Sequence, residues 1–418
     1  MKSNKITKWL MLCISVIGLS ACDITLYPED KITPGSFFRN ESDLQLFTNN
    51  FYVSTMPSAT DIYQDEADII INPALNDAVS CQRIIPETGG GWSWTALRQI
   101  NYYLENSYRC SDEAARLHYD GIARFFRAFF YFNKVKRFGD VPWYDVVVGS
   151  GDTELLNKPR DSRKYVMDMV LKDLDYAIEN IRPTKDVYRV TKWAALALKS
   201  RVMLFEGTFR KYHAGTDFVP QDQQVFEDKT ISSTWFLQEA VSAAEKIIGK
   251  KALYTGNTMG IAGKATNASY REYFVLEVAD PTETIFARAY NSDEIVQVRH
   301  GIQFDYKNHK HSATTRFVNH YLKNDGTAYT EAELATMSYF DAFKGRDPRM
   351  AQTIQGPGYI AIGETAPEKL SMERTLNGYR VIKYISDITH EGATTSTSDF
   401  PLFRYAEVLL NYAEAKAE

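Results

Sequence analysis

Three consecutive glycines followed by two tryptophans, Gly89-Gly90-Gly91-Trp92-Ser93-Trp94, are the residues best placed for ligand chemistry. Glycine adopts backbone conformations closed to other residues, so the run predicts an exposed turn. Indoles on such a turn can stack on the C–H faces of a sugar, and nearby polar groups can bond its hydroxyls. Trp92 and Trp94 lead the candidate glycan contacts, followed by Arg83, Asp65, Arg98 and Tyr290. The competing reading has one Trp plugging the helix start as a hydrophobic staple. For Tyr290 the favoured alternative is a strand residue packed on the scaffold.

Catalytic patterns are missing from the sequence. There is no Gly-x-Ser-x-Gly elbow and no His-Glu-x-x-His. Gly263-Lys264 lacks the flanking residues of a phosphate loop. His309-Lys310-His311 sits in a polar stretch and reads as a solvated loop before a metal site. Asp61, Asp65, Glu66 and Asp68, near Tyr63, lack the spacing of a calcium loop and read as a solvated face. No two carboxylates can be paired as glycosidase acid and nucleophile. The expectation is binding without turnover, with no cofactor and no metal. A helical glycoside hydrolase and a helical scaffold without carbohydrate binding are the alternatives. The net charge of −5 offers no basic face for nucleic acid.

The elements that must carry these residues are mostly helical. In Gly121–Trp143, Ile122, Phe125, Phe126, Phe129, Phe130 and Phe132 recur at helical spacing, and several partner helices are needed to cover them. Arg124, Arg127, Lys134 and Lys136 interrupt that face and are expected to point to water. Gly139 suits a helix stop, and Pro142 forbids continuation, so Val141-Pro142-Trp143 should run extended. Further helices are expected at 42–53, 93–108, 162–181, 191–205 and 234–248, with an N-cap at Ser111-Asp112-Glu113 for the long helix and Thr191 as the cap of the fourth of these. The alternation resembles tetratricopeptide hairpins, without a clean repeat of about 34 residues. Residues 42–248 are therefore read as a helical scaffold, with 57–91 as an inserted, ligand-facing loop. Residues 249–401 read as a loop-rich part with short strands at 284–290 and 295–299, and with Asp347 capping a helix begun by Pro348. Residues 402–418 return to helix and end without a stop signal, which reads as truncation.

The N-terminus reads as an address. Lys2, Lys5 and Lys8 precede a short apolar run from Trp9 to Gly18, too short to span a bilayer. Leu19-Ser20-Ala21-Cys22 resembles a bacterial lipobox. Residues 1–21 would be a lipoprotein signal peptide, Cys22 the lipidated residue and 22–41 a tether, giving a membrane anchor without a spanning helix. Cys81 and Cys110 are expected as buried free thiols, with a disulfide as the alternative in an exported protein.

Several stretches together resemble the SusD/RagB family of Bacteroidetes outer-membrane nutrient-binding lipoproteins. They are Leu19–Cys22, Phe138-Gly139-Asp140-Val141-Pro142-Trp143, Arg189–Leu198, Gly345-Arg346-Asp347-Pro348-Arg349 and Phe403–Glu414. The resemblance implies a tetratricopeptide-like scaffold carrying a variable loop-rich part. It implies an outer-membrane, outward-facing location and a SusC-like TonB-dependent barrel as partner, to which captured oligosaccharide is passed. It also implies that binding residues cluster in N-terminal loops, and that relatives continue past the motif at Tyr405.

Overall fold

The computed structural model describes residues 37–59, 61, 68–73, 77, 80–219, 224–226, 229–256, 268–291 and 298–418. The signal segment, Cys22, most of the tether, Asp65 and residues 295–297 lie outside them. The scaffold consists of α1 (Glu41–Thr55), α2 (Thr95–Asn106), α3 (Glu113–Phe138), α4 (Arg163–Asn180), α5 (Lys192–Tyr212), α6 (Ser233–Glu245) and α7 (Tyr405–Ala417). Among the described residues, no helix is long and apolar enough to cross a membrane.

Helix α3 is the axis of the scaffold. Phe125, Phe126, Ala128, Tyr131, Phe132 and Val135 are all buried, so apolar side chains leave it in more than one direction. Such a helix is stable only when surrounded. Helices α1, α2 and α4 pack on it, α5 packs on α4, and α6 packs on α5. Helix α7 returns from the far end of the chain to cover α5 and α6. The fold is thus mostly α, an irregular array of paired helices.

Local chemistry sets the helix ends. The side chains of Asp112, Ser162, Thr191 and Ser232 accept from Ala115 N, Tyr165 N, Ala194 N and Trp235 N. Each such cap contributes about 1 kcal/mol. Helix α3 stops at Gly139, whose φ of 70° is a conformation that glycine adopts freely.

Several sequence expectations are corrected by packing. Arg127 does not reach water. It is 4% exposed and forms a forked ion pair with Asp173 of α4, at 2.6 and 2.8 Å. Lys134 is buried as well. Leu402-Phe403-Arg404 is strand, not helix, because it pairs with 284–288. The helix after Asp347 starts at Arg349, with Pro348 in the cap position. Cys81 and Cys110 are free thiols, but only Cys110 is buried. His311 is buried against Tyr306, while His309 is more exposed and pairs with Asp305 at 2.8 Å.

Residues 290–385 build a core of their own. Tyr290, Ile302, Tyr306, Val318, Met350, Ile354 and Ile382 cluster there, together with Ala59 from the connection after α1. The strands are short: β1 (Ile70–Ile71), β2 (Gln224–Phe226), β3 (Lys229–Ile231), β4 (Thr284–Arg288), β5 (Ser312–Ala313) and β6 (Phe400–Arg404). They pair antiparallel as β1–β5, β2–β3 and β4–β6. The β4–β6 ribbon joins the two parts, since Ile285, Phe286 and Phe403 belong to the helical core while Tyr290 belongs to the second.

Candidate functional site

The glycine run makes the turn its composition predicts. Gly89, Gly90 and Gly91 have φ of 77°, 58° and 84°, and Trp92 N donates to Gly89 O at 2.9 Å. A side chain at Gly91 would be strained by φ alone, and its Cβ would lie 3.1 Å from Arg137 Nε. Lys134 Nζ donates to Gly91 O, which ties the turn to the last turns of α3. Burial, and then the neighbouring Arg137 charge, pulls the Lys134 ammonium below its ordinary value.

The two indoles have different surroundings. Trp94 occupies the N-cap position of α2 and is half-buried against Phe130, Tyr131 and Tyr144. Trp92 is 36% exposed. It meets Phe138 and Trp94 edge-on at 4.7 and 5.1 Å, and the Arg160 guanidinium lies 5.0 Å from its ring centre. Trp94 therefore does much of the packing, and Trp92 offers the free indole surface.

Beside these rings lies a groove of about 570 Å³. One wall is the start of α2, with Trp92, Trp94, Leu97, Arg98 and Asn101. The other comes from the long connection between α3 and α4, with Pro142, Tyr144, Val146, Val148, Leu156, Lys158, Pro159 and Arg160. That size falls within the usual range for ligand sites.

The second wall is held rigidly. Tyr131 stacks on Trp143 at 4.2 Å, and its hydroxyl accepts from Tyr144 N at 2.6 Å. The ends of the connection meet where Asp161 N donates to Val141 O at 3.2 Å. Trp143 N donates to Asp161 Oδ2 at 2.7 Å, and Tyr144 Oη donates to Leu155 O at 2.9 Å. Buried Asn101 donates from Nδ2 to the carbonyls of Tyr144 and Val146, at 2.9 and 3.0 Å. Its own Oδ1 accepts from Arg127 at 3.3 Å. A buried ion pair thus orients the amide that fixes the wall.

The sequence-derived candidates divide accordingly. Trp92, Trp94 and Arg98 come together in the groove. Arg83 is exposed and does not line it. Asp65 and Cys22 lie outside the described residues. Tyr290 is buried: its N donates to Asp399 Oδ1 at 2.8 Å, its hydroxyl accepts from Ala59 N at 2.9 Å, and its ring packs on His300. Its ring is therefore closed to a ligand and packs the second core. Sequence reasoning missed Tyr144, Lys158 and Arg160. The one signal available was the length of the connection after Gly139, since long ordered loops are commonly functional.

The groove offers aromatic faces, amide and carbonyl groups and cations, and no Asp or Glu is among its described lining residues. A glycosidase needs two carboxyl groups flanking the bond. Among the described residues, no cluster of His, Cys, Asp and Glu could hold a metal.

Comparison with known proteins agrees with this architecture. A family model described as "Starch-binding associating with outer membrane" matches residues 91–204, which include the whole groove, and the model of the SusD family matches residues 282–418. SusD-like protein P2 of Formosa agariphila is 24% identical, over the full length of this chain and 78% of its own. A SusD-like protein of Bacteroides fragilis superposes with a TM-score of 0.68 at 20% identity, over 93% of this chain and 77% of its own. A SusD-like carbohydrate binding protein from the same organism superposes with a TM-score of 0.67 at 19% identity, over 91% of this chain and 74% of its own. These structures share the helical fold described above. The two family models, the SusD-like relative and the shared fold together support a SusD/RagB family protein.

Proposed function

We propose that this protein is a glycan-capturing lipoprotein of the outer membrane that binds oligosaccharide without turning it over. The observation that carries the reading is the groove in which Trp92, Trp94 and Tyr144 present aromatic surface beside Arg98 and Arg160. Sugar stacking needs such surface, and polar groups at its edge orient the hydroxyls. The groove's lack of carboxylates argues against hydrolysis. The starch-binding description of the matching family model and the carbohydrate-binding description of the Bacteroides fragilis neighbour support the same reading.

Under this reading Cys22 carries the lipid anchor and the protein faces the cell exterior. Captured oligosaccharide passes to a SusC-like TonB-dependent transporter. A shallow, weak site suits that role, because cargo must leave it again. Affinity electrophoresis on a polysaccharide panel tests the binding. Trp92→Ala should weaken retardation about tenfold in a protein that still folds by circular dichroism, the loss of one stacked ring being worth roughly 1–2 kcal/mol. Retardation unchanged in the variant would remove the groove as the site, and sugar release from the panel would favour the hydrolase. Cys22→Ser should move the protein from the membrane to the soluble fraction. Pull-down from outer membranes should recover a large β-barrel.

A further inference from the structure

Among the described residues, no carboxylate neutralises two of the groove's guanidinium groups. Arg98 donates from Nε to Val148 O at 3.4 Å, and Arg160 reaches only the carbonyls of Phe138 and Asp140, at 3.5 Å. Both are exposed, and neither forms an ion pair with a described Asp or Glu. Their neighbour Lys158 differs, because Asp161 lies 2.6 Å from its ammonium. Lys134, beneath Trp94, is buried and spends its ammonium on Gly91 O. The free positive charge of the groove therefore resides in two arginines on its two walls. This local excess sits in a chain whose net charge is −5.

Neutral sugars need hydrogen-bonding groups but no formal charge. A guanidinium adds a planar fork that matches a carboxylate or sulfate oxygen pair, and it gains most where the anion is its only partner. Arg160 lies on the Trp92 ring, so an acid group on a sugar stacked there would come within its reach. Resting on the glycan-capture reading, we propose that the groove selects anionic sugars. The sugar ring lies on Trp92 while its uronate carboxylate or sulfate ester is held by Arg98 and Arg160.

Calorimetry on the intact protein decides this. The probes are trigalacturonic acid and the same trisaccharide with its carboxylates reduced to alcohols, then a sulfated galactan tetrasaccharide and its desulfated form. At least one acidic probe should bind about tenfold more tightly than its neutral counterpart, and added salt should shrink that preference. Arg98→Gln and Arg160→Gln should each cost the acidic probe about tenfold, the loss of a charge-assisted hydrogen bond, and cost the neutral probe clearly less. Trp92→Ala should weaken both. Which acidic probe responds separates carboxylate from sulfate recognition. Equal affinity for acidic and neutral probes, still lost in Trp92→Ala, would overturn the anionic preference and keep glycan capture. Failure of the wild-type protein to bind any of these probes would overturn the anionic preference, and glycan capture falls with it only if the polysaccharide panel is unretarded as well.

Discussion

Burial sets the protonation of His118 on α3, and this has a consequence for stability. Desolvation, reinforced by the Arg182 charge, lowers its pKa from 6.5 to about 4. The ring's Nδ1 accepts from Arg182 N at 3.2 Å, which a protonated ring could not do. In the folded protein the ring stays neutral between those two values, whereas in the unfolded chain it takes up a proton. The stabilisation is thus complete above pH 6.5 and is lost as pH falls towards 4. Because the ring is only partly buried, the loss should be about 2 kcal/mol or less after solvent screening. Asp120 and Asp399, held above the usual carboxylate range by burial, work in the opposite sense. The measurement is therefore a difference: His118→Gln should lose less melting temperature between pH 7 and 4.5 than the wild type. Parallel curves would contradict it.

At the scale of elements, α5 packs closely on α6, and a glycine permits it. A Cβ on Gly207 would fall 2.9 Å from Leu237 Cγ and 3.1 Å from Ser233 O. Gly207→Ala gains about 1 kcal/mol of helix propensity. The clash involves a backbone oxygen and the branch point of a core leucine, neither of which can yield cheaply, and overpacking of this kind costs about 1–3 kcal/mol. The variant should lower the urea midpoint, and a raised midpoint would show that the pair can separate. The same logic of close contact applies between α3 and α4. There Gly121 faces Ile181, and Arg127 pairs with Asp173 in the interior. Asp173→Ala should cost about 3–5 kcal/mol, because it strands a buried guanidinium, and should loosen the Asn101 clamp on the groove wall.

For the molecule as a whole, Asp399 is the joint between the helical scaffold and the second core. Its carboxylate accepts from Tyr188 Oη at 2.6 Å, Ala279 N at 2.8 Å and Tyr290 N at 2.8 Å. Burial, with Asp399 next to it, pushes the Tyr188 hydroxyl up to about 12. Asp399→Ala leaves Tyr188 Oη and Tyr290 N without their acceptor, leaves Ala279 N only its 3.0 Å bond to Tyr188 Oη, and should cost about 3 kcal/mol or more. Hydrogen exchange should then speed up across 290–385 while α3 stays protected. Uniform acceleration would show that the two cores open as one unit.

The scaffold was legible in the sequence because helices are local. Their hydrogen bonds span four residues, their caps are single side chains, and their buried stripes repeat at short spacing. Asp112, Thr191 and Gly139 accordingly mark ends that the structure retains. The glycine turn and Trp92 were legible for the same reason. What lay beyond reach depended on remote partners. Leu402–Arg404 became strand only because 284–288 lies alongside. Arg127 turned inward only because Asp173 was there to receive it. The second wall of the groove, with Tyr144 and Arg160, stands beside Trp92 only because α3 folds the chain back and Tyr131 and Asn101 hold it there. Such contacts join residues far apart in the chain, and no periodicity or capping pattern in a single sequence encodes that pairing.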